Sequence, residues 1–399
     1  VNVEELVRDS LRELADEQPS TGPGFADRVL AFRRRRRTRR LASVAAATAA
    51  VVAVSVLVPR LDSGKDDVRP AGILEQGGTS AHPDQSPPRD LIAAGNVALA
   101  AYYTAQTDPI TKDRAISQRT YWLLDQKTGT YEKDDRWSYV AVAPGMKTAA
   151  VLERELPARR IGLLDLATGE VERWIPVEHR VGGLAFSYDG SRLVATTYDD
   201  HPDVRVRAAQ AWMSPFGQSS RTGFHILDVA SGEGSWSPVK PRRDINPRED
   251  FAFSRDGQRV YSRIVSSRDG TQQFYDLAGN EVAAPANERH LRWDVDARLS
   301  PDGRIAAVGL GTEAKDRSWS SIVNPTTGKE ITEVRGAQLL AWVDDKRLIA
   351  WERTAGSELY RPRLALVSVD SDKVEWLSGP REQNMTPDRT EWEPVFARR

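Results

Sequence analysis

Two short turn signatures recur from residue 91 onward, and together they leave this chain few ways to fold. The first joins two apolar runs through a tight turn. It stands at Phe186-Ser187-Tyr188-Asp189-Gly190, Phe253-Ser254-Arg255-Asp256-Gly257 and Leu299-Ser300-Pro301-Asp302-Gly303, with weaker copies at Val142-Ala143-Pro144-Gly145 and Trp342-Val343-Asp344-Asp345. Asp-Gly between apolar runs specifies a hairpin, because Gly takes positive φ without steric cost and Asp hydrogen-bonds its own backbone. The second signature begins at Leu124-Asp125, Leu164-Asp165, Leu227-Asp228, Tyr275-Asp276, Val323-Asn324 and Val369-Asp370. Its turns fall at 129, 169, 232, 279, 328 and 372, so the period is in the forties except for one gap of 63. Two hairpins per interval make four strands, which is a propeller blade. The chain is therefore expected to be mainly β, a six-bladed β-propeller over residues 91–399, with seven blades as the alternative.

Ser-x-Asp-Gly-x-x-apolar followed by apolar-Asp-x-x-Thr-Gly resembles the TolB-type and WD40-like (PD40) propeller repeat over residues 91–378. The resemblance implies a fold and little else, since such propellers serve as scaffolds, binding proteins and enzyme accessory domains. The Trp-Asp and Gly-His dipeptides of WD40 blades are missing at the expected places, and the Asp-box of sialidases is not matched.

With strands A to D counted outward from the blade's inner edge, both signature turns lie on one rim. The B to C and D to A connections lie on the other rim and vary more, which is where binding usually resides. The gap of 63 places an insertion at residues 198–223 in one B to C connection. Candidate rim residues are Asp200, His201, Trp212 and Phe216 in that insertion, with Trp236, Arg242 and Arg243 nearby; His290, Trp319 and Arg353 lie in neighbouring connections. The C-terminal run at residues 394–397 is expected to close the ring by pairing within the first blade.

Before the repeats, residues 41–58 (LASVAAATAAVVAVSVLV) are apolar or small throughout. A helix of that length spans nearly the hydrocarbon thickness of a bilayer. Arg33 to Arg37, Arg39 and Arg40 precede it, which puts the N-terminus in the cytoplasm and the propeller outside. The span is read as a retained anchor, with a cleaved signal ending near Ala53-Val54-Ser55 as the alternative. Residues 1–40 form a cytoplasmic tail in which Leu6, Val7, Leu11 and Leu14 share one face of an amphipathic helix. That face could dock a cytoplasmic protein on residues 2–17. Residues 59–90, rich in Gly, Pro, Ser and Asp, read as a flexible linker.

Residues 1–59 carry ten Arg against seven acids, while the whole chain has a net charge of −1. The basic charge sits beside the span, so the large domain lacks the electrostatic footprint of a nucleic-acid binder. There is no Cys, and no two of the five His stand at zinc-hydrolase spacing. Gly-x-Ser-x-Gly and a phosphate loop are also missing. The run Tyr198-Asp199-Asp200-His201-Pro202-Asp203 has metal-ligand residue types but reads as a solvated acidic loop. No catalytic residue, cofactor or metal is expected. The sequence points to a membrane-anchored extracytoplasmic propeller of a bacterial cell that binds a protein or cell-envelope ligand. The alternative is a transmembrane regulator of anti-sigma-factor type whose N-terminal helix holds a cytoplasmic protein.

Overall fold

Every regular element among the described residues is a β-strand. The computed structural model describes residues 77–208, 211–215, 217–241, 248–263, 272–314, 317–354, 361–381 and 391–399. The expected docking helix with Leu6, Val7, Leu11 and Leu14, the span at 41–58, and Phe216, Arg242 and Arg243 lie outside the described residues. Among the described residues no helix is long and apolar enough to cross a membrane.

The strands follow one another as antiparallel meanders, each turn returning the chain beside the strand it has just left. β1 (Ala93–Ala94) leads into β2 (Val97–Pro109), β3 (Arg114–Asp125) and β4 (Thr130–Asp134). The second meander is β5 (Trp137–Val142), β6 (Thr148–Glu153), β7 (Ala158–Asp165) and the first half of β8 (Val171–Phe186). The second half of β8 opens the third meander, which continues through β9 (Arg192–Tyr198). Between β9 and its sheet neighbour, β12 (Arg221–Asp228), stand β10 (Val204–Ala208) and β11 (Ala211–Met213); β13 (Gly234–Pro238) completes the third sheet. The fourth is β14 (Phe251–Phe253), β15 (Arg259–Arg263), β16 (Gln272–Asp276) and β17 (Glu281–Val282). In the fifth, Leu299 bridges Ala306 at the start of β18 (Ala306–Ala314), followed by β19 (Arg317–Val323) and β20 (Glu330–Arg335). β21 (Gln338–Trp342), β22 (Arg347–Glu352), β23 (Arg363–Ser368) and β24 (Ser371–Trp376) form the sixth.

The last strand, β25 (Trp392–Arg398), pairs with β2 from Thr104↔Trp392 to Val97↔Arg398. The two ends of the repeat region thus share a sheet, as the run at 394–397 leads one to expect. The N-terminal side of the seam is also tied down: His82 N donates to Leu377 O and Gly379 N to Gln85 O, while Trp392 Nε1 donates to Ser86 Oγ. Residues 80–90, the last part of the stretch read as linker, thus make backbone pairs with the strands. Their polar, Pro-rich composition reads as loop, yet their backbone groups find partners on β1 and beyond β24.

Burial explains why these runs form strands. The second strand of a meander is covered on both faces: β6, β9 and β22 are buried over four or more consecutive residues. The outermost strands β17, β20 and β24 are half-buried to exposed at nearly every position and carry the charged residues. Such a gradient requires the faces of successive sheets to pack on one another. One apolar cluster joins the first and second meanders through Tyr121, Trp137 and Val151, and another joins the third and fourth through Phe224, Phe251 and Tyr275. Trp342, Leu348 and Val334 join the fifth and sixth, while Trp351, Leu99 and Tyr102 join the sixth back to the first. Between the fourth and fifth the contact is more polar: Arg298 lies over Tyr261 and pairs with Glu288, and Arg263 pairs with Asp296.

Both turn signatures are built as the sequence requires. Gly190, Gly257 and Gly303 have φ of 77°, 65° and 71°, a region costly for residues with a Cβ. The Ser two residues before each Asp donates its hydroxyl to that Asp: Ser187 to Asp189 at 2.6 Å, Ser254 to Asp256 at 2.6 Å, Ser300 to Asp302 at 2.7 Å. In the second signature Asp165, Asp228, Asp276 and Asn324 accept backbone N–H groups two or three residues on.

Candidate functional site: a cavity with two unlike mouths

The innermost strands surround a cavity of about 770 Å³. Residues of β5, β8, β14, β21 and β25 line it, as do residues 296–299 ahead of β18. Each first strand runs towards its tight turn, so the cavity has a mouth at the strand starts and another at the strand ends. Tyr139, Asp250, Asp296 and Glu393 stand near the starts; Tyr188, Arg255, Pro301 and Arg398 stand at or beyond the ends.

The first mouth, on the side of the variable connections, is braced by ion pairs. Arg248 donates to both oxygens of Asp203 at 2.7 and 2.6 Å, to Asp250 Oδ2 at 2.7 Å, and to the carbonyl of Gly182 at 2.8 Å. Tyr198 donates its hydroxyl to the other oxygen of Asp250 at 2.8 Å. Arg119, from β3, lies 3.7 Å from Asp203 and is held over the rings of Tyr103 and Tyr139. Burial alone would raise the Asp203 carboxyl, but the guanidinium groups of Arg248 and Arg119 outweigh it and hold the group well below the usual range. Burial pushes Tyr103 up to about 12 and Tyr139 higher still, so neither ring ionises near neutral pH. It also lifts Asp296 and Glu393, against the opposing charges of Arg263 and Arg381.

A small extra sheet stands beside this mouth. β2 and β3 run on past the first meander as a long hairpin, and β10 adds to β3 with Val204 opposite Ile116. β11 then pairs on β10, which explains the gap of 63: the insertion crosses from the third meander to the first. Asp203, just before β10, carries the ion pairs that hold this crossing in place. Ile110 at the hairpin tip is 58% exposed, and Met213 on β11 is 38% exposed.

The sequence-derived candidates separate. Asp200 is exposed and pairs with Arg114 on the hairpin at 2.7 Å. His201 accepts from the backbone N–H of Asp203 through Nδ1, and burial lowers its pKa although Asp203 opposes the shift. Trp212 lies in β11 under the guanidinium of Arg207. Trp236 is not in a connection but in the outer strand β13, where it stacks on His179 at 3.6 Å and donates to Thr197 Oγ1. Asp200, His201 and Trp212 therefore belong to the extra sheet and its approach, while Trp236 packs a strand. Among the described residues no three His, Cys, Asp or Glu converge as a metal site. In the acidic run, Asp200 and Asp203 are both engaged by arginines.

The second mouth, among the tight turns, has a different chemistry. Arg255 and Arg398 place their Cζ atoms 3.2 and 3.5 Å from the centroid of the Tyr188 ring. Two carbons so near one centroid cannot share a face, so the ring stands between the two cations. Among the described residues neither guanidinium makes an ion pair. Glu288, the nearest acid, is taken by Arg298 and by the backbone N–H of Arg255. Sequence reasoning missed this group because it looked to the variable rim. The available signal is the residue before Asp-Gly, which changes from Tyr188 to Arg255 to Pro301 while its neighbours repeat.

No protein-family model matches the chain. No curated protein matches it either. Among solved structures, TolB from Acinetobacter baumannii is similar at 16% identity and a TM-score of 0.41, covering 75% of this chain and 66% of its own. An oligogalacturonate lyase in complex with manganese is similar at 13% identity and TM-score 0.42, covering 79% and 90%. An acylaminoacyl peptidase from Pyrococcus horikoshii is similar at 13% identity and TM-score 0.40, covering 70% and 46%. The chain thus spans 66% of the TolB structure it matches, and likeness at these scores adds nothing to what the strand pairing itself shows.

Proposed function

We propose that the chain is a non-catalytic binding module: a six-bladed β-propeller, anchored outside a bacterial membrane by residues 41–58, that receives a protein or cell-envelope ligand. In this reading the six meanders are the six blades and the pairing of β25 with β2 closes the ring. The observation that carries it is the cavity lining. Among the described residues, arginines, tyrosines and carboxylates line the space and no histidine does, while burial moves the Tyr103 and Tyr139 hydroxyls still further from ionising near neutral pH. Tyrosines so constrained can recognise a ligand but make poor nucleophiles or bases at neutral pH. The extra sheet beside the variable mouth, with Ile110 and Met213 exposed, supplies an apolar contact surface for the partner.

The test is photo-crosslinking from position 110, and separately from position 11, in the full-length chain within membranes of its native host. A specific adduct from 110 that is lost in Met213→Asp supports the binding module. An adduct from 11 alone, lost when Leu6 and Leu14 are made polar, transfers the function to the cytoplasmic helix and supports the anti-sigma-type regulator. No adduct from 110 refutes the rim as the binding surface.

A further inference from the structure

We propose that the tight-turn mouth of the cavity binds the terminal carboxylate of an extended peptide, through Arg255 and Arg398 held on the two faces of Tyr188. This deepens the binding-module reading and rests on it. A guanidinium stacked on a ring uses its face and keeps its N–H edge free, and that edge matches the geometry of a carboxylate. Arg255 gives one donor to the carbonyl of Pro301; Arg398 makes no side-chain hydrogen bond among the described residues. Both side chains are half-buried at the end of a formed cavity, so their donors are positioned and only partly hydrated. Two like charges are drawn to one ring, and the one carboxylate near them, Glu288, is already bonded to Arg298 and to the Arg255 backbone N–H, which leaves an excess of positive charge that an anion fills.

The surroundings narrow the choice of anion. Asp189 and Asp256 follow Tyr188 and Arg255 in sequence, and Asp302 follows Pro301, so exposed carboxylates flank the mouth. One oxygen of each, Oδ1, accepts from its own turn, Asp189 from Ser187 and Ser191, Asp256 from Ser254 and Gln258, Asp302 from Ser300 and Arg304. Among the described residues none of the three pairs with either arginine, and they repel a broad polyanion lying across the rim. A single carboxylate at the end of a thin chain meets the cations without meeting the outer acids. Nucleic acid, anionic headgroups and acidic polysaccharide all fail that condition.

The probe is N-acetyl-tetraalanine with a free C-terminus, titrated into the full-length chain and followed by calorimetry, against the same peptide as its C-terminal amide. Binding of the free acid at millimolar concentration or tighter, at least about tenfold tighter than the amide, is the expected result. Arg398→Gln and Arg255→Gln each weaken the acid at least about tenfold with unchanged circular dichroism, while Lys127→Gln on an outer turn leaves it unaltered. Equal binding of acid and amide, no binding of the acid, or affinity unchanged in both arginine variants overturns the proposal. Retained acid binding with no crosslink from position 110 would refute the rim reading alone, and the reverse would refute only the tight-turn mouth.

Discussion

The two mouths of the cavity hold similar residues in opposite states. At the variable mouth Arg248 and Arg119 are matched against Asp203 and Asp250. The cations there tie β3, the approach to β10 and the approach to β14 together, so their role is architectural. At the tight-turn mouth Arg255 and Arg398 share the Tyr188 ring and make no ion pair among the described residues, the nearby Glu288 being paired with Arg298. A buried charge is worth little by itself; what matters is whether its partner is already in the fold. The difference teaches that arginines of one cavity divide into those that build it and those that remain available to a ligand.

Substitutions should separate the two groups, most strongly at Arg248. Arg248→Met leaves Asp203 and Asp250 without their main partner in a half-desolvated site, and about 3 kcal/mol of stability should be lost in denaturant unfolding. A loss below about 1 kcal/mol would mean that the bracing is unimportant. Asp203→Asn should cost about 2 kcal/mol at pH 7. The folded pKa of Asp203 lies below its unfolded value, so its contribution is complete above about pH 4 and disappears as pH falls through the folded value. The gap between wild type and Asp203→Asn should therefore narrow towards pH 2, and a gap that stays constant contradicts the assignment. Ser254→Ala removes the hydroxyl that both donates to Asp256 and accepts from Arg259 N, at an expected cost of about 1 kcal/mol. Arg398→Gln strands no carboxylate and should change stability least, by under about 1 kcal/mol, while weakening the peptide carboxylate at least about tenfold. A large stability loss there would place Arg398 with the bracing arginines.

The repeat was legible because each turn writes its own geometry into a few residues. Asp-Gly with its leading Ser, and Asp or Asn before Gly129, Gly169, Gly232, Gly279 and Gly328, settle strand after strand by local chemistry. The closure by β25 followed from the same logic, since an unpaired apolar run at the chain end has one open edge to fill. The extra sheet was not legible: the gap of 63 located the insertion, but nothing local says that Val204 pairs across to Ile116. Trp236 reads by its position as part of a connection, whereas it stands in β13 and stacks on His179. The cavity charges were least legible of all. Arg119, Arg248 and Asp203 come together from three separate strands or approaches, and such convergence has no signature in a linear pattern.

The most direct measurement is arginine-specific labelling of the native full-length chain with phenylglyoxal, read residue by residue by mass spectrometry. Free N–H edges react and guanidinium groups locked in bidentate pairs do not. The two-mouth account expects Arg255 and Arg398 to be modified well before Arg119 and Arg248, and to be protected by N-acetyl-tetraalanine with a free carboxylate. Modification of Arg248 as fast as Arg398, or no protection of Arg398 by the peptide, would contradict it.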